Sequence, residues 1–120
     1  MALHPAAVEL VDATLIELGR EIDIFRPVME RYIRGRPEAV LLVEFAGEHF
    51  DEQKAHLAKL VELMGDLGYP DGVVEALTPA QQTEIWGVRK AGLNIMMSMK
   101  GDGKPVSFIE DCAVPLADLP

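Results

Sequence analysis

The stretch Ala39-Val40-Leu41-Leu42-Val43-Glu44-Phe45, with the segment from Phe50 to Leu67 behind it, decides the fold class. The first is a run of apolar, β-favouring residues ended by Gly47, the pattern of a buried strand. In the second, Phe50, Leu57, Leu60, Val61, Met64 and Leu67 recur at helical spacing. Asp51, Glu52, Lys54, Lys59 and Glu62 hold the opposite face, which makes the helix amphipathic. Gly65 and Gly68 mark its end, with Pro70 just beyond.

Working outward, Ala7 to Val11 alternates over a short span bounded by Pro5 and Asp12, which predicts a strand. Asp12 then caps a helix whose apolar face is Leu15, Ile16, Leu18 and Ile22. Pro27 opens a second short helix carrying Val28, Met29, Tyr32 and Ile33. Downstream, Gly72 to Leu77 is a third strand candidate. Thr78-Pro79-Ala80-Gln81 is a strong helix start: threonine caps, proline takes the first helical position and glutamine completes a capping box. That helix is expected to run through Trp86 and Arg89 to about Met99, with Gly92 inside it permitting a close approach by another element. A turn at Gly101-Asp102-Gly103 precedes a fourth strand, Val106 to Glu110. This order predicts an α+β, ferredoxin-like layered sandwich, with helices packed on one face of a largely antiparallel sheet. Periodicity does not fix strand order, so a parallel α/β sheet stays open.

At 120 residues the chain has the length of one domain. Apolar residues are 49% and charged residues 26%, which excludes a disordered or collagenous chain. The 20 acidic residues outnumber the 11 basic ones, for a formal charge of −9. Without a basic run there is no phosphate-binding surface, so nucleic acid is excluded as a partner. A single cysteine, Cys112, rules out an internal disulfide and suits a reducing compartment. The longest apolar stretch, around Ile95 to Met99, falls far short of the ~18 residues of a membrane span. The N-terminus lacks the basic and apolar regions of a signal peptide, and a cytoplasmic location is expected.

Few residues carry chemistry by pattern. His49 and His56 lie two helical turns apart but in no tight ligand motif, and read best as solvated helix-surface residues. No metal site is expected. Gly101-Asp102-Gly103-Lys104-Pro105 lacks the spacing of a phosphate loop and reads as a turn. Arg89 and Lys90 stand just before an apolar helix end, Leu93 to Met99. The plainer reading is an ordinary surface pair. The functional one is an anion-binding arginine on a helix whose far end, Met96 to Met99, packs under a part of the protein outside this sequence.

Three blocks carry a resemblance. They are Glu84-Ile85-Trp86-Gly87-Val88-Arg89-Lys90-Ala91-Gly92-Leu93, Met97-Ser98-Met99-Lys100-Gly101-Asp102-Gly103-Lys104-Pro105-Val106, and Phe108-Ile109-Glu110-Asp111-Cys112-Ala113-Val114-Pro115. Together with Ala6-Ala7-Val8-Glu9-Leu10-Val11-Asp12 and Leu41-Leu42-Val43-Glu44-Phe45, they resemble the C-terminal, substrate-side domain of the FAD-linked oxidases. That family includes the glycolate oxidase flavin subunit, D-lactate dehydrogenase and D-2-hydroxyglutarate dehydrogenase, and the sequence is most similar to its large members with an iron–sulfur region.

The resemblance implies that residues 1–120 form part of that domain, with the FAD-binding domain and the metal and catalytic histidine motif elsewhere in the parent protein. The parent would oxidise a small 2-hydroxy acid, and would hold FAD, a divalent metal and an iron–sulfur cluster. A peripheral membrane association stays open for it. The fragment is expected to carry no catalytic, cofactor-binding or metal-binding residue, to be inactive alone, and to be capable of self-association. Its substrate-binding residues would be Arg89, matching the carboxylate-binding arginine of the tryptophan–arginine motif, together with Lys90 and Lys104. The D-2-hydroxyglutarate branch has a threonine one turn after that arginine and a lysine in the next strand, where this sequence has Leu93 and Ile109. Either Lys90, Lys100 or Lys104 substitutes, or the substrate differs. A free-standing binding or dimerisation module derived from the same domain is the alternative reading.

Overall fold

Two strands and four helices follow one another in the order strand, helix, helix, strand, helix, helix, in a computed structural model that describes residues 3–92 and Asn94. They are β1 (Ala7–Asp12), α1 (Ala13–Glu21), α2 (Arg26–Tyr32), β2 (Ala39–Glu44), α3 (Phe50–Asp66) and α4 (Pro79–Lys90). The architecture is α+β, as the sequence predicts. β1 and β2 pair antiparallel, with Ala7 opposite Glu44, Glu9 opposite Leu42 and Val11 opposite Val40.

Local chemistry places each boundary. Asp12 stays extended and its carboxylate accepts the Leu15 N–H at 2.9 Å, which starts α1. Pro27 occupies the first turn of α2. α3 closes with paired bonds, Tyr69 N–H to Met64 O at 2.8 Å and Gly68 N–H to Gly65 O at 3.0 Å. This closure requires a residue at positive φ, and Gly68 supplies it at 97°. α4 begins with the full capping box: Thr78 accepts the Gln81 N–H, and Gln81 reaches back to the Thr78 N–H.

Three expectations are corrected. Gly72 to Leu77 forms no strand. Its backbone groups are drawn to the start of α4 instead, where Leu77 N–H donates to Gln81 Oε1 at 3.1 Å and Gln82 Nε2 donates to Ala76 O at 3.2 Å. α4 breaks at Ala91, with helical backbone again at Gly92 and Asn94, and the expected stretch on to Met99 lies outside the described residues; Arg89 and Lys90 in the last turn before the break complement the negative end of the helix dipole. Gly92 is buried beside Leu15, but a Cβ there would meet Leu15 Cδ2 at 3.8 Å, an ordinary contact that alanine would tolerate. The expected strand Val106 to Glu110 and the Met96 to Met99 packing surface lie outside the described residues, so the ferredoxin-like strand count is not reached within them.

The core lies among the helices. Ile16 is fully buried and Met29 and Val88 nearly so, and Leu15, Leu18, Ile22, Phe25, Val28 and Ile33 pack around Met29 and Val88. α1, α2 and the end of α4 therefore share one apolar centre. The sheet differs on its two faces. Ala7, Glu9 and Val11 of β1 are half-buried, while Val8 and Leu10, together with Leu41 of β2, are exposed on the other side at 52%, 69% and 56%. α3 has no buried residue, although its apolar stripe is as the sequence predicts.

A polar cluster ties α2 to α4. Glu84 Oε2 accepts from Arg31 Nη1 at 2.6 Å and from the Tyr32 hydroxyl at 2.9 Å. These two bonds, the arginine's first, lower the Glu84 pKa below the usual 4.5. A carboxylate with a depressed folded-state pKa stabilises the fold at pH values above its unfolded pKa. That stabilisation disappears as pH falls through the lower, folded value. Glu84→Gln is therefore expected to lower Tm at pH 7, with the gap to the parent closing as pH drops below 4.5; circular dichroism melts at stepped pH give the curve. A gap constant down to pH 3 would mean the pair contributes nothing through charge.

Candidate functional site

Side chains of α4 reach the two strands at Glu9 and Glu44, and these meetings build the site. Arg89, in the last turn of α4, donates from Nε to Glu9 Oε2 in the middle of β1. The side chains are 49% and 31% exposed, so the pair stands at the rim of the helix–sheet layer, open to solvent on one side. Among the described residues, Arg89 Nη1 and Nη2 meet no acceptor. A guanidinium bound through Nε keeps the two terminal nitrogens of its fork as a pair that can bind a carboxylate bidentately.

Lys90 does not join it. Adjacent residues on a helix are turned by roughly 100°, and Lys90 falls on a different stripe of α4. With Pro79, Gln82, Thr83, Trp86 and Gly87 it lines an open groove of about 480 Å³, closed on the far side by Glu44 at the end of β2. The strand register puts Glu44 on the same sheet face as Glu9 and diagonal to it. The helix thus carries two cations over two carboxylates, one joined in an ion pair and the other facing across the groove. The sequence brings Arg89 and Lys90 together, and the structure separates them. Lys104 lies outside the described residues.

Glu9, Thr83 and Glu44 are not marked as site residues by the sequence, and Trp86 enters its reading only through the tryptophan–arginine motif. A signal for Glu9 exists: it is the one charged residue flanked by apolar positions in Ala7 to Val11, and strand alternation sets it on the same face as Ala7 and Val11. His56 is also placed differently from expectation. It is not a solvated surface residue: its ring lies 5.4 Å from that of Phe45, and its Nδ1 is buried without a hydrogen-bond partner among the described residues. Among the described residues, no three His, Cys, Asp or Glu side chains gather as metal ligands, and no helix is long and apolar enough to cross a membrane.

The fold is an α+β layer with an arginine–glutamate pair between α4 and β1. The family of FAD linked oxidases, C-terminal domain, matches residues 1–120, and the chain belongs to that family. It is 33% identical over 127 residues to a D-2-hydroxyglutarate dehydrogenase of Pantoea ananatis (strain AJ13355), covering 91% of this chain and 11% of the relative. It is 33% identical over 122 residues to the enzyme of that name from Escherichia coli (strain K12), covering 91% of this chain and 12% of the relative. For the enzyme of that name from Pseudomonas putida, the identity is 26% over 125 residues, covering 99% of this chain and 12% of the relative. The chain thus spans about an eighth or less of the length of these curated relatives. No solved structure matches it.

The family implies FAD, and the described residues do not fit it. The charged wall that Glu44 gives the groove is a carboxylate, which would repel a diphosphate. At the start of α4, the Gln81 N–H that could hold a phosphate already donates to Thr78.

Proposed function

We propose that this chain is part of the substrate-side domain of an FAD-dependent oxidoreductase that converts a D-2-hydroxy acid of the glycolate, lactate or 2-hydroxyglutarate class to the 2-oxo acid, and that it is inactive alone. The observation that carries this reading is the family match over residues 1–120, with relatives named D-2-hydroxyglutarate dehydrogenase. The half-exposed Arg89 side chain, bound through Nε and with no acceptor at Nη1 or Nη2 among the described residues, supports it. Arg89 holds the substrate carboxylate and neutralises its charge, which orients the α-carbon; it moves no proton, because a guanidinium stays charged. Lys104 is a further cation for the acid, and Lys90 contributes only from the neighbouring groove that it lines. Flavin, divalent metal and iron–sulfur cluster belong to the remainder of the longer flavoprotein, a cytoplasmic protein with peripheral membrane association open to it.

The test compares the two lengths of protein. The 120-residue chain is expected to be colourless and to reduce no dye. The flavoprotein that contains it is expected to be yellow and to reduce a dye with D-2-hydroxy acids. Dye reduction by the chain alone would overturn the proposed inactivity. A longer protein without flavin absorbance would overturn the reading as a whole.

The exposed Val8, Leu10 and Leu41 favour a second reading, a free-standing dimerisation module. An apolar sheet face of this kind is covered either by the rest of the flavoprotein or by a second copy. Sedimentation of the longer protein and of the chain discriminates between them. The module reading requires a stable, specific dimer of the chain, whereas under the flavoprotein reading any self-association of the chain is lost in the longer protein.

A further inference from the structure

Arg89 is held by one bond among the described residues, and the nature of that bond has a consequence for how the site treats an anion. Glu9 accepts from Nε, not from the terminal nitrogens. A carboxylate on Nε restrains the rotation of the guanidinium plane, and the end-on pair, Nη1 and Nη2, meets no acceptor among the described residues. The same carboxylate sits one guanidinium width away from any anion bound at that edge. Its charge therefore opposes the anion while its geometry aims the fork.

Resting on the reading of Arg89 as the carboxylate anchor, we propose that Glu9 is a positioning residue with two separable effects: it aims the Arg89 fork, and its charge weakens the fork's hold on acid and product. The position of Glu9 supports both. It lies at the centre of β1, opposite Leu42, where the strand ladder fixes its backbone, so the acceptor is rigid even though the pair is partly exposed. Glu44 stands on the same face of the sheet, diagonal to Glu9, and adds to the negative field without touching Arg89. Two like charges about 5 Å apart in a water-like surrounding interact by an amount worth roughly a fourfold change in an equilibrium constant, and less in high salt.

The two effects come apart in two variants of the flavoprotein, assayed with a D-2-hydroxy acid. Glu9→Gln keeps an oxygen to accept from Nε but removes the charge. KM is expected to fall about fourfold, with kcat within about twofold and the KM difference shrinking as salt is raised. Glu9→Ala removes charge and acceptor together. The fork loses its aim, and kcat is expected to fall at least about tenfold. A purely structural role would make the two variants alike in direction, with no salt dependence in the difference, and that result overturns the proposal. If Glu9→Ala fails to fold, as judged by circular dichroism and flavin content, Glu9→Gln decides alone: an unchanged or raised KM overturns it. Arg89→Ala serves as the control. Loss of activity there with both Glu9 variants silent removes only this inference, whereas an unaffected Arg89→Ala removes the anchor reading itself.

Discussion

Arg89→Ala in the flavoprotein is expected to lower kcat/KM for the 2-hydroxy acid by about 100- to 1,000-fold, with flavin content unchanged. The size follows from what is lost. A bidentate guanidinium–carboxylate pair has two charge-assisted hydrogen bonds, and removing one partner leaves the other charge without its match. A loss of roughly 3–4 kcal/mol corresponds to that range. Arg89→Lys is expected to fall between, because it keeps the charge but not the planar fork and cannot reach Glu9 and the substrate in the same geometry. The split between parameters carries information. If the anchor serves mainly to orient the α-carbon, kcat falls with the rise in KM; if it only holds the acid, KM alone moves. Steady-state kinetics with a dye acceptor read both. Unchanged values in Arg89→Ala would remove Arg89 from the site and leave Lys90 and Lys104 as the only residues of this chain proposed for the substrate.

How far the sequence reached depends on whether a feature is local. The Asp12 cap, Pro27 in the first turn of α2, the Thr78–Gln81 box and the Gly68 closure are each written within five residues or fewer, and each forms as read. Gly72 to Leu77 shows the limit. A short β-favouring segment becomes a strand only if a partner offers a ladder, and here the glutamines of the next helix take its backbone groups first. Membership of the site is equally non-local. Arg89 and Lys90 are neighbours in sequence but look in different directions, and Glu9 meets Arg89 from 80 positions away. Which face of α4 meets which face of β1 is decided by packing, and no spacing within either segment encodes it. The Arg31–Tyr32–Glu84 cluster, joining α2 to α4, was out of reach for the same reason.

Ile16→Ala is expected to bring the isolated chain close to unfolding at room temperature. Ile16 is the one large side chain fully out of water among the described residues, with only Met29 and Val88 also classed as buried apolar side chains. Removing its three outer carbons from a packed site costs about 2–5 kcal/mol, part lost transfer energy and part cavity. A small domain has only about 5–15 kcal/mol in total, so a loss of that size takes a large share of it. Ile16→Val, which removes a single carbon and keeps the branched shape, is expected to cost only about 0.5–1.5 kcal/mol and serves as the graded control. Urea melts of the three proteins followed by circular dichroism give the differences directly. The same exchange in the longer flavoprotein should matter less to its overall stability, because there the exposed Val8, Leu10 and Leu41 face has more chain available to cover it. A loss below about 1 kcal/mol in the isolated chain would mean that the surroundings of Ile16 collapse around the vacancy, and that its site is looser than its full burial implies.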